Sequence, residues 1–426
     1  MQAVILCGGL GTRLKNKYKH IPKALVKLKK KPNLIKIIDD LFNQNFKEVI
    51  LLTAYKNEQI HKSIKNHKNY KKIKILNDKK FTGTGGALIG AKKFLKEKFL
   101  VILGDLYIDF NYKKFFTHSV NRKYNSNIVI HPNNHPFDSD TVSYYSNNKI
   151  KKFYLKNSSK IKPNNAIAGI FFIKKKIIKL KYNKKHVELV KDILVKNKLN
   201  FVYKTIEYIK DFGTEKRIFK IKKQILTNKL INFKIKKIAV FFDRDGVLNK
   251  EVGVIKNLNK FQIIHSSIKA IKILNKLNIP CFLVSNQAAL SKKIIKFKTF
   301  ETIHAKLENV LSKNKAYLDD YAYCPDFNGK KFTNKNFPYF SKYRKPNIGI
   351  INHLKNKYNL NLKKSFFIGD RDIDILTGKK AGCKTFLVKS PKNKDYILDV
   401  KPDYFVKNAF YAVKKILLIK WNIKLL

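Results

Sequence analysis

The residues best suited to chemistry lie in short strings. Gly8-Gly9-Leu10-Gly11-Thr12-Arg13-Leu14, followed by Pro22-Lys23, sets three glycines beside an arginine and a lysine. Backbone N–H groups of such a loop can wrap a triphosphate while Arg13 and Lys23 offset its charge. Far downstream, Asp243-Arg244-Asp245-Gly246-Val247 places two carboxylates two residues apart, ahead of a glycine that permits a tight turn.

Each string has to be delivered by a strand end. AVILCGGLGTRL (3–14) and IAVFFDRDGVLN (238–249) both open on a β-branched or aromatic run that leads directly into the polar motif. Each reads as the first strand of a parallel α/β sheet, whose ligands gather at the carboxyl ends of the strands. Strands are predicted at 3–7, 48–53, 73–76, 99–103, 127–131 and 168–173, then at 238–242, 279–284, 365–368 and 384–388. Helical stretches separate most of them, the alternation of doubly wound sheets. The connector FKIKKQILTNKLINFKIKK (219–237) lacks Gly and Pro and reads as a terminal helix plus linker. Two domains follow, 1–230 and 236–426, in a chain long enough to give each a core. There is no internal repeat.

The formal net charge of +63 would suit a nucleic-acid partner if the lysines clustered, but they recur in nearly every block of ten. A general drift toward lysine explains that spread, and no specific nucleic-acid partner is expected. Six arginines survive the drift, and Arg13, Arg244, Arg344 and Arg371 fall inside motifs, where a planar fork is hard to replace. Of only 17 glycines, three lie in 8–11 and three in 83–86, where backbone must come close to something. Four scattered cysteines and an N-terminus without a basic leader point to a reducing cytoplasm. Apolar runs such as FLVIL and AIAGIFFI fall short of the roughly 20 residues of a membrane span, so no membrane partner is expected.

Over about 2–217 the chain resembles the sugar-1-phosphate nucleotidyltransferases, heptose-1-phosphate guanylyltransferases among them. The first glycine string with Pro22-Lys23 carries the likeness, joined by Thr82-Gly83-Thr84-Gly85-Gly86-Ala87, Leu103-Gly104-Asp105, Ala168-Gly169-Ile170 and Asp211-Phe212-Gly213-Thr214. The resemblance implies a Rossmann-like (GT-A-like) sheet. It implies that Gly8, Gly9, Gly11 and Thr12 cradle the phosphates, that the loop of Gly83, Thr84, Gly85 and Gly86 meets the base, and that Gly169 and Lys156 meet the sugar phosphate. Asp105 and Asp211 would then hold Mg2+, as two carboxylates on separate strand ends can, with Arg13 and Lys23 as catalytic cations. Lys156 follows Leu155 where the family usually has Glu.

From about 238 to 390 the chain resembles the haloacid dehalogenase (HAD) phosphatases, in the branch acting on heptose bisphosphate and histidinol phosphate. Asp243-Arg244-Asp245-Gly246-Val247, Ser285-Asn286-Gln287, Arg344-Lys345-Pro346 and Gly369-Asp370 with Asp374 appear in the family's order. The resemblance implies a HAD-like doubly wound parallel sheet with Asp243 as nucleophile and Asp245 as acid and base. Ser285 and the Asn286 amide would bind phosphoryl oxygens beside Arg344, and Lys345 would neutralise them. Mg2+ would sit among Asp243, the Asp245 carbonyl and Asp370. The branch usually carries a four-ligand zinc loop. Here Cys324-Pro325-Asp326 keeps the first ligand alone, with Ser341 and Tyr343 at later positions, so no zinc is predicted. Aromatic residues Phe327, Phe332, Phe337, Tyr339, Phe340 and Tyr343 are expected to hold the loop instead. The segment AALSKK after Gln287 also lacks the family's usual glycines.

Joined, the two resemblances imply a bifunctional enzyme acting on small molecules, an NTP and sugar phosphates. Its phosphatase would act on D-glycero-D-manno-heptose 1,7-bisphosphate and its transferase would pair GTP with the resulting 1-phosphate. The same chemistries on mannose with GTP or glucose with CTP, or a basic nucleic-acid-associated protein with decayed sites, are the alternatives. The sequence is silent on oligomeric state.

Overall fold

The computed structural model describes residues 1–9, 11, 14, 18, 20–77, 82–156, 162–179, 185–226, 232–327, 332, 343–390 and 400–423. The chain divides into two compact units, one made of Met1–Ile130, Ser143–Leu155 and Ile167–Phe233, the other of His131–Val142, Lys156–Ala166 and Lys234–Leu426.

In chain order the first stretch forms β1 (Gln2–Leu6), α1 (Asn33–Asn43), β2 (Glu48–Leu52), α2 (Asn57–Ile64), β3 (Ile73–Leu76), α3 (Gly83–Gly90), β4 (Lys98–Leu103), β5 (Leu106–Asp109) and α4 (Tyr112–Val120). It continues through β6 (Ser126–His131), β7 (Thr141–Tyr144), β8 (Ile150–Tyr154), β9 (Ala166–Lys174), β10 (Asn200–Lys204), β11 (Tyr208–Asp211) and α5 (Glu215–Leu226). The main sheet runs β10-β6-β9-β4-β1-β2-β3, with β7 and β8 off this path. β1 lies between β2 and β4 and is parallel to both, and its run QAVIL is apolar almost throughout because both faces are covered. Ala3 and Ile5 pack with the α1 stripe Leu34, Ile37, Ile38 and Leu41, spaced at three and four as one buried helix face requires.

β5 and β11 form a separate antiparallel ladder in which Asp211 pairs with Leu106. Phe212 N–H donates to the Asp105 carbonyl at 3.2 Å. That ladder brings two sequence-distant carboxylates to one place. α5 anchors it through Ile218, Ile221 and Ile225, packed with Tyr107 and Phe212.

The second stretch forms β12 (Val240–Phe242), α6 (His265–Lys276), β13 (Cys281–Asn286), α7 (Phe297–Lys313), β14 (Asp320–Cys324) and α8 (Gly349–Tyr358). It ends with β15 (Phe366–Gly369), α9 (Asp372–Lys380), β16 (Lys384–Val388), β17 (Tyr404–Val406) and α10 (Ala409–Trp421). The sheet order is β14-β13-β12-β15-β16-β17 with every pairing parallel. β12 alternates across the sheet. Val240 and Phe242 join the core built with α6, α7 and α10, while Phe241 stacks with Phe282 and Phe367, and Phe282 stacks on Tyr358 of α8. Both faces are therefore covered, and the carboxyl ends of β12, β13 and β15 open side by side.

Candidate active sites

In the first unit the chain leaves β1 at Cys7, whose N–H donates to Leu52 O at 2.8 Å. Gly8 passes close to Ala54, where a side chain would stand 3.2 Å from its Cβ, and Gly11 adopts a positive φ of 66°. Thr12 and Arg13 lie outside the described residues. Lys23 opens a short 3-10 turn after Pro22, and its nearly buried ammonium is ion-paired with Asp105. Asp211 is ion-paired with Arg217 and accepts from Gly213 N–H at 3.2 Å. Burial alone would raise the Asp211 carboxyl, but Arg217, Gly213 N–H and Lys23 together hold it below the ordinary carboxylate value. The two carboxylates thus stand beside two cations, an arrangement suited to a hard cation and a polyanion.

The second glycine loop is braced by the protein itself. Gly83 has φ +83°, and a Cβ there would lie 2.5 Å from Val187 O. The Gly85 and Gly86 amides donate to that carbonyl at 2.8 and 3.0 Å. Thr84 Oγ1 donates to Glu188 Oε2 at 2.7 Å and accepts from Leu189 N–H at 2.9 Å. Gly169, φ +80°, approaches Leu103 and Leu106 too closely for a side chain. Lys156 is exposed, and its N–H donates to Asp140 Oδ1 at 2.7 Å.

In the second unit Asp243 follows β12, its N–H held by Ile368 O at 3.0 Å. Asp243, Asp370 and Asp374 are all buried and offer carboxylate oxygens within 4.8 Å of one another. Lys345 lies among them, its Nζ 2.7 Å from Asp243 Oδ1 and 2.5 Å from Asp374 Oδ1. Asn286 fixes this lysine by a reciprocal pair: Lys345 N–H donates to Asn286 Oδ1 at 3.0 Å, and Asn286 Nδ2 donates to Lys345 O at 3.1 Å. Burial pushes the Asp243 carboxyl up to about 7, against the pull of Lys345 and with the push of Asp374 and Asp245. Burial, with Asp374 and Asp243 alongside, pushes Asp370 up to about 8. Burial alone would lower the Lys345 ammonium, but the two carboxylates it touches hold it above the ordinary value.

Three buried carboxyl groups face one ammonium, so full ionisation without a further cation is unfavourable, and an all-oxygen donor set that close suits a hard divalent cation. The cradle is tight: a Cβ on Gly246 (φ +78°) would lie 1.9 Å from Asp370 Oδ2.

Asp245 stands apart from this cluster. Its carboxylate accepts from Arg244 Nε and Nη2 at 2.9 to 3.1 Å, from Asn249 Nδ2 at 2.9 Å and from Gln287 Nε2 at 3.1 Å. Burial alone would raise it, but Arg244 with these amides holds it below the ordinary value. A cavity of about 320 Å³ opens above the site, lined by Asp243, Asp245, Ser285, Lys345, Arg344, Arg371 and Glu251 among others.

The nucleotidyl transferase family model matches residues 2–228, more than half of the chain. The chain belongs to that family. A HAD-hydrolase-like model matches residues 342–410. The D-glycero-D-manno-heptose-1,7-bisphosphate 7-phosphatase of Thermosynechococcus vestitus is 32% identical over 184 residues, 41% of this chain and 93% of that protein. The D-glycero-alpha-D-manno-heptose-1,7-bisphosphate 7-phosphatase of Photorhabdus laumondii is 30% identical over 156 residues, 36% of this chain and 82% of that protein. These matches place the second half of this nucleotidyl transferase in the phosphatases' family. The D-glycero-alpha-D-manno-heptose 1-phosphate guanylyltransferase of Campylobacter jejuni is 45% identical over 114 residues, 27% of this chain and 52% of that protein. The chain thus spans about half the length of that guanylyltransferase.

Several site residues of this nucleotidyl transferase carry no role in the sequence analysis. Asp374, quoted there with the Gly369-Asp370 motif, joins the buried acidic cluster from the first turn of α9. Arg217 pairs with Asp211, and its signal was survival as arginine in a lysine-rich chain. Gln287, quoted in the Ser285-Asn286-Gln287 motif without a role, and Asn249, which carried no signal, hold Asp245. The described part of the loop after β14 has Cys324 and Asp326 buried, with Asp326 Oδ1 accepting from Phe332 N–H at 2.9 Å. Ser341, Phe337, Tyr339 and Phe340 lie outside the described residues. Among the described residues no helix is long and apolar enough to cross a membrane.

Proposed function

We propose that the chain is a bifunctional enzyme of nucleotide-sugar biosynthesis. Its second half removes the 7-phosphate of D-glycero-D-manno-heptose 1,7-bisphosphate, and its first half joins the heptose 1-phosphate to a guanylyl group from GTP, releasing pyrophosphate. The observation that carries this reading is the phosphatase cavity. A nucleophile, a buried lysine and an acidic cluster form its base, and two further cations, Arg344 and Arg371, line it, which suits a substrate with a second phosphate.

In the phosphatase step Asp243 attacks phosphorus and forms an aspartyl-phosphate while the sugar alkoxide leaves. Asp245 protonates that alkoxide, and then takes a proton from the water that hydrolyses the intermediate. Asp245 is held ionised by Arg244, the form the second step needs; an anionic phosphate beside it raises its proton affinity for the first. Lys345 and Ser285 bind the phosphoryl oxygens. In the transfer step Lys23 orients the sugar phosphate for in-line attack on the α-phosphorus, and no side-chain nucleophile is needed. Mg2+, held by Asp243, the Asp245 carbonyl and Asp370 with Asp374 beside them in one half and by Asp105 and Asp211 in the other, would supply the positive charge that lets anion approach anion. Four buried free thiols, Cys7, Cys281, Cys324 and Cys383, suit a cytoplasmic setting, and the incomplete ligand set around Cys324 suits a protein without zinc.

The test is release of phosphate from sugar bisphosphates and monophosphates, and of pyrophosphate from each NTP with each sugar 1-phosphate. Preference for the heptose bisphosphate and for GTP supports the reading. Equal turnover of monophosphates, or preference for mannose or glucose phosphates, overturns the substrate assignment.

A further inference from the structure

Beyond β14 the chain enters the segment that leads to Arg344, which lines the phosphatase cavity. Gln287 N–H donates to Cys324 O at 2.7 Å, which ties this segment to the loop that holds Asp245. Asp326 is buried, and its carbonyl accepts from Arg344 Nη1 at 3.0 Å. The next residue, Phe327, is half-buried. The Arg344 guanidinium lies 4.9 Å from the centre of its ring, and Lys292 Nζ lies 3.8 Å from the same centre. Phe332, bonded to Asp326, packs 5.9 Å from Phe297 of α7. One guanidinium that lines the cavity is therefore held at two points by two successive residues, a carbonyl and an aromatic face.

An aromatic face attracts a cation through its quadrupole, and a planar guanidinium stacks on it better than an ammonium does. A long arginine on a cavity wall otherwise loses rotamer freedom when it captures an anion, and a side chain already fixed in place loses less. We propose that Phe327 is a positioning residue: with the Asp326 carbonyl it presets Arg344 to receive the phosphate of the substrate that is not cleaved. Lys292, drawn to the same ring, adds positive charge there. This assignment rests on the bisphosphate reading above and gives the departed zinc-loop sequence a task of its own.

The experiment compares steady-state phosphate release by the full chain from the heptose bisphosphate and from the heptose 7-monophosphate, for wild type, Phe327→Leu, Phe327→Tyr, Arg344→Gln and the Phe327→Leu/Arg344→Gln double variant. For Phe327→Leu the expected result is a KM for the bisphosphate raised about tenfold with kcat within about twofold, the size of a partly desolvated cation–aromatic contact. Monophosphate kinetics stay unchanged, which also shows that the variant is folded. Phe327→Tyr restores the low KM. In the Arg344→Gln background Phe327→Leu adds nothing, because a residue that acts through another is non-additive with it. If Phe327→Leu alters both substrates equally, leaves the bisphosphate KM alone, or adds fully to Arg344→Gln, the proposal is overturned. If wild type and Arg344→Gln fail to distinguish the two substrates, the bisphosphate reading itself has failed; if they do and Phe327→Leu does not, only the positioning role has.

Discussion

At the residue scale the phosphatase site is governed by charge buried without water. Asp243 and Asp370 are pushed up to about 7 and about 8 from an ordinary value of 3.8. The folded state therefore keeps protons that the unfolded chain has released. By linkage, the stability these groups contribute is fully present below about pH 4 and is lost as the pH rises through 7 and 8. A divalent cation in the cluster displaces those protons and removes the penalty. The increment in Tm given by saturating Mg2+ over EDTA should therefore grow between pH 5 and 8.5, and Asp370→Asn should flatten that growth. An increment independent of pH would mean that these carboxylates do not hold the cation. Asp243, Lys345 and Asp370 could be read from sequence because each sits in a motif with its own spacing. The pairing of Lys345 with Asp374 joins residues 29 apart in the chain and had no local signature, whereas Arg217 reaches Asp211 from the first turn of α5, six residues on.

At the element scale, what sequence revealed was chiefly the set of buried parallel strands. The runs at 48–53, 73–76, 99–103, 127–131 and 384–388 fall within a residue of β2, β3, β4, β6 and β16; apart from the edge strand β3, with Lys74 exposed, these are mostly buried, and a strand covered on both faces is written as largely apolar residues. The overlooked strands are short or interrupted. β8 reads IKKFY with its lysines exposed, β10 alternates buried and half-buried positions over five residues, and β14, DYAYC, contains no β-branched residue. The helix expected in 219–237 begins earlier, at Glu215, directly after the Asp211 motif. The loop after β14 carries the second expectation: a protein zinc-free as purified, whose phosphatase half keeps its Tm in a zinc-selective chelator. One zinc per chain by elemental analysis, with Tm lost on chelation, would contradict it.

At the scale of the whole molecule the net charge of +63 is spread along the chain, while the candidate chemistry concentrates in two constellations on two compact units. The central claim is that these are two active sites in series. Its most direct measurement supplies the heptose 1,7-bisphosphate, GTP and Mg2+ to wild type, Asp243→Asn and Asp105→Ala, and follows phosphate, pyrophosphate and nucleotide-sugar together. Wild type should release phosphate and pyrophosphate in equal amounts. Asp243→Asn should release neither from the bisphosphate, yet form pyrophosphate at the wild-type rate when heptose 1-phosphate is supplied. Asp105→Ala should release phosphate alone, its transfer reduced at least about 100-fold by loss of a metal ligand. Loss of both activities in either folded variant, or pyrophosphate formed from the bisphosphate by Asp243→Asn, would contradict the account.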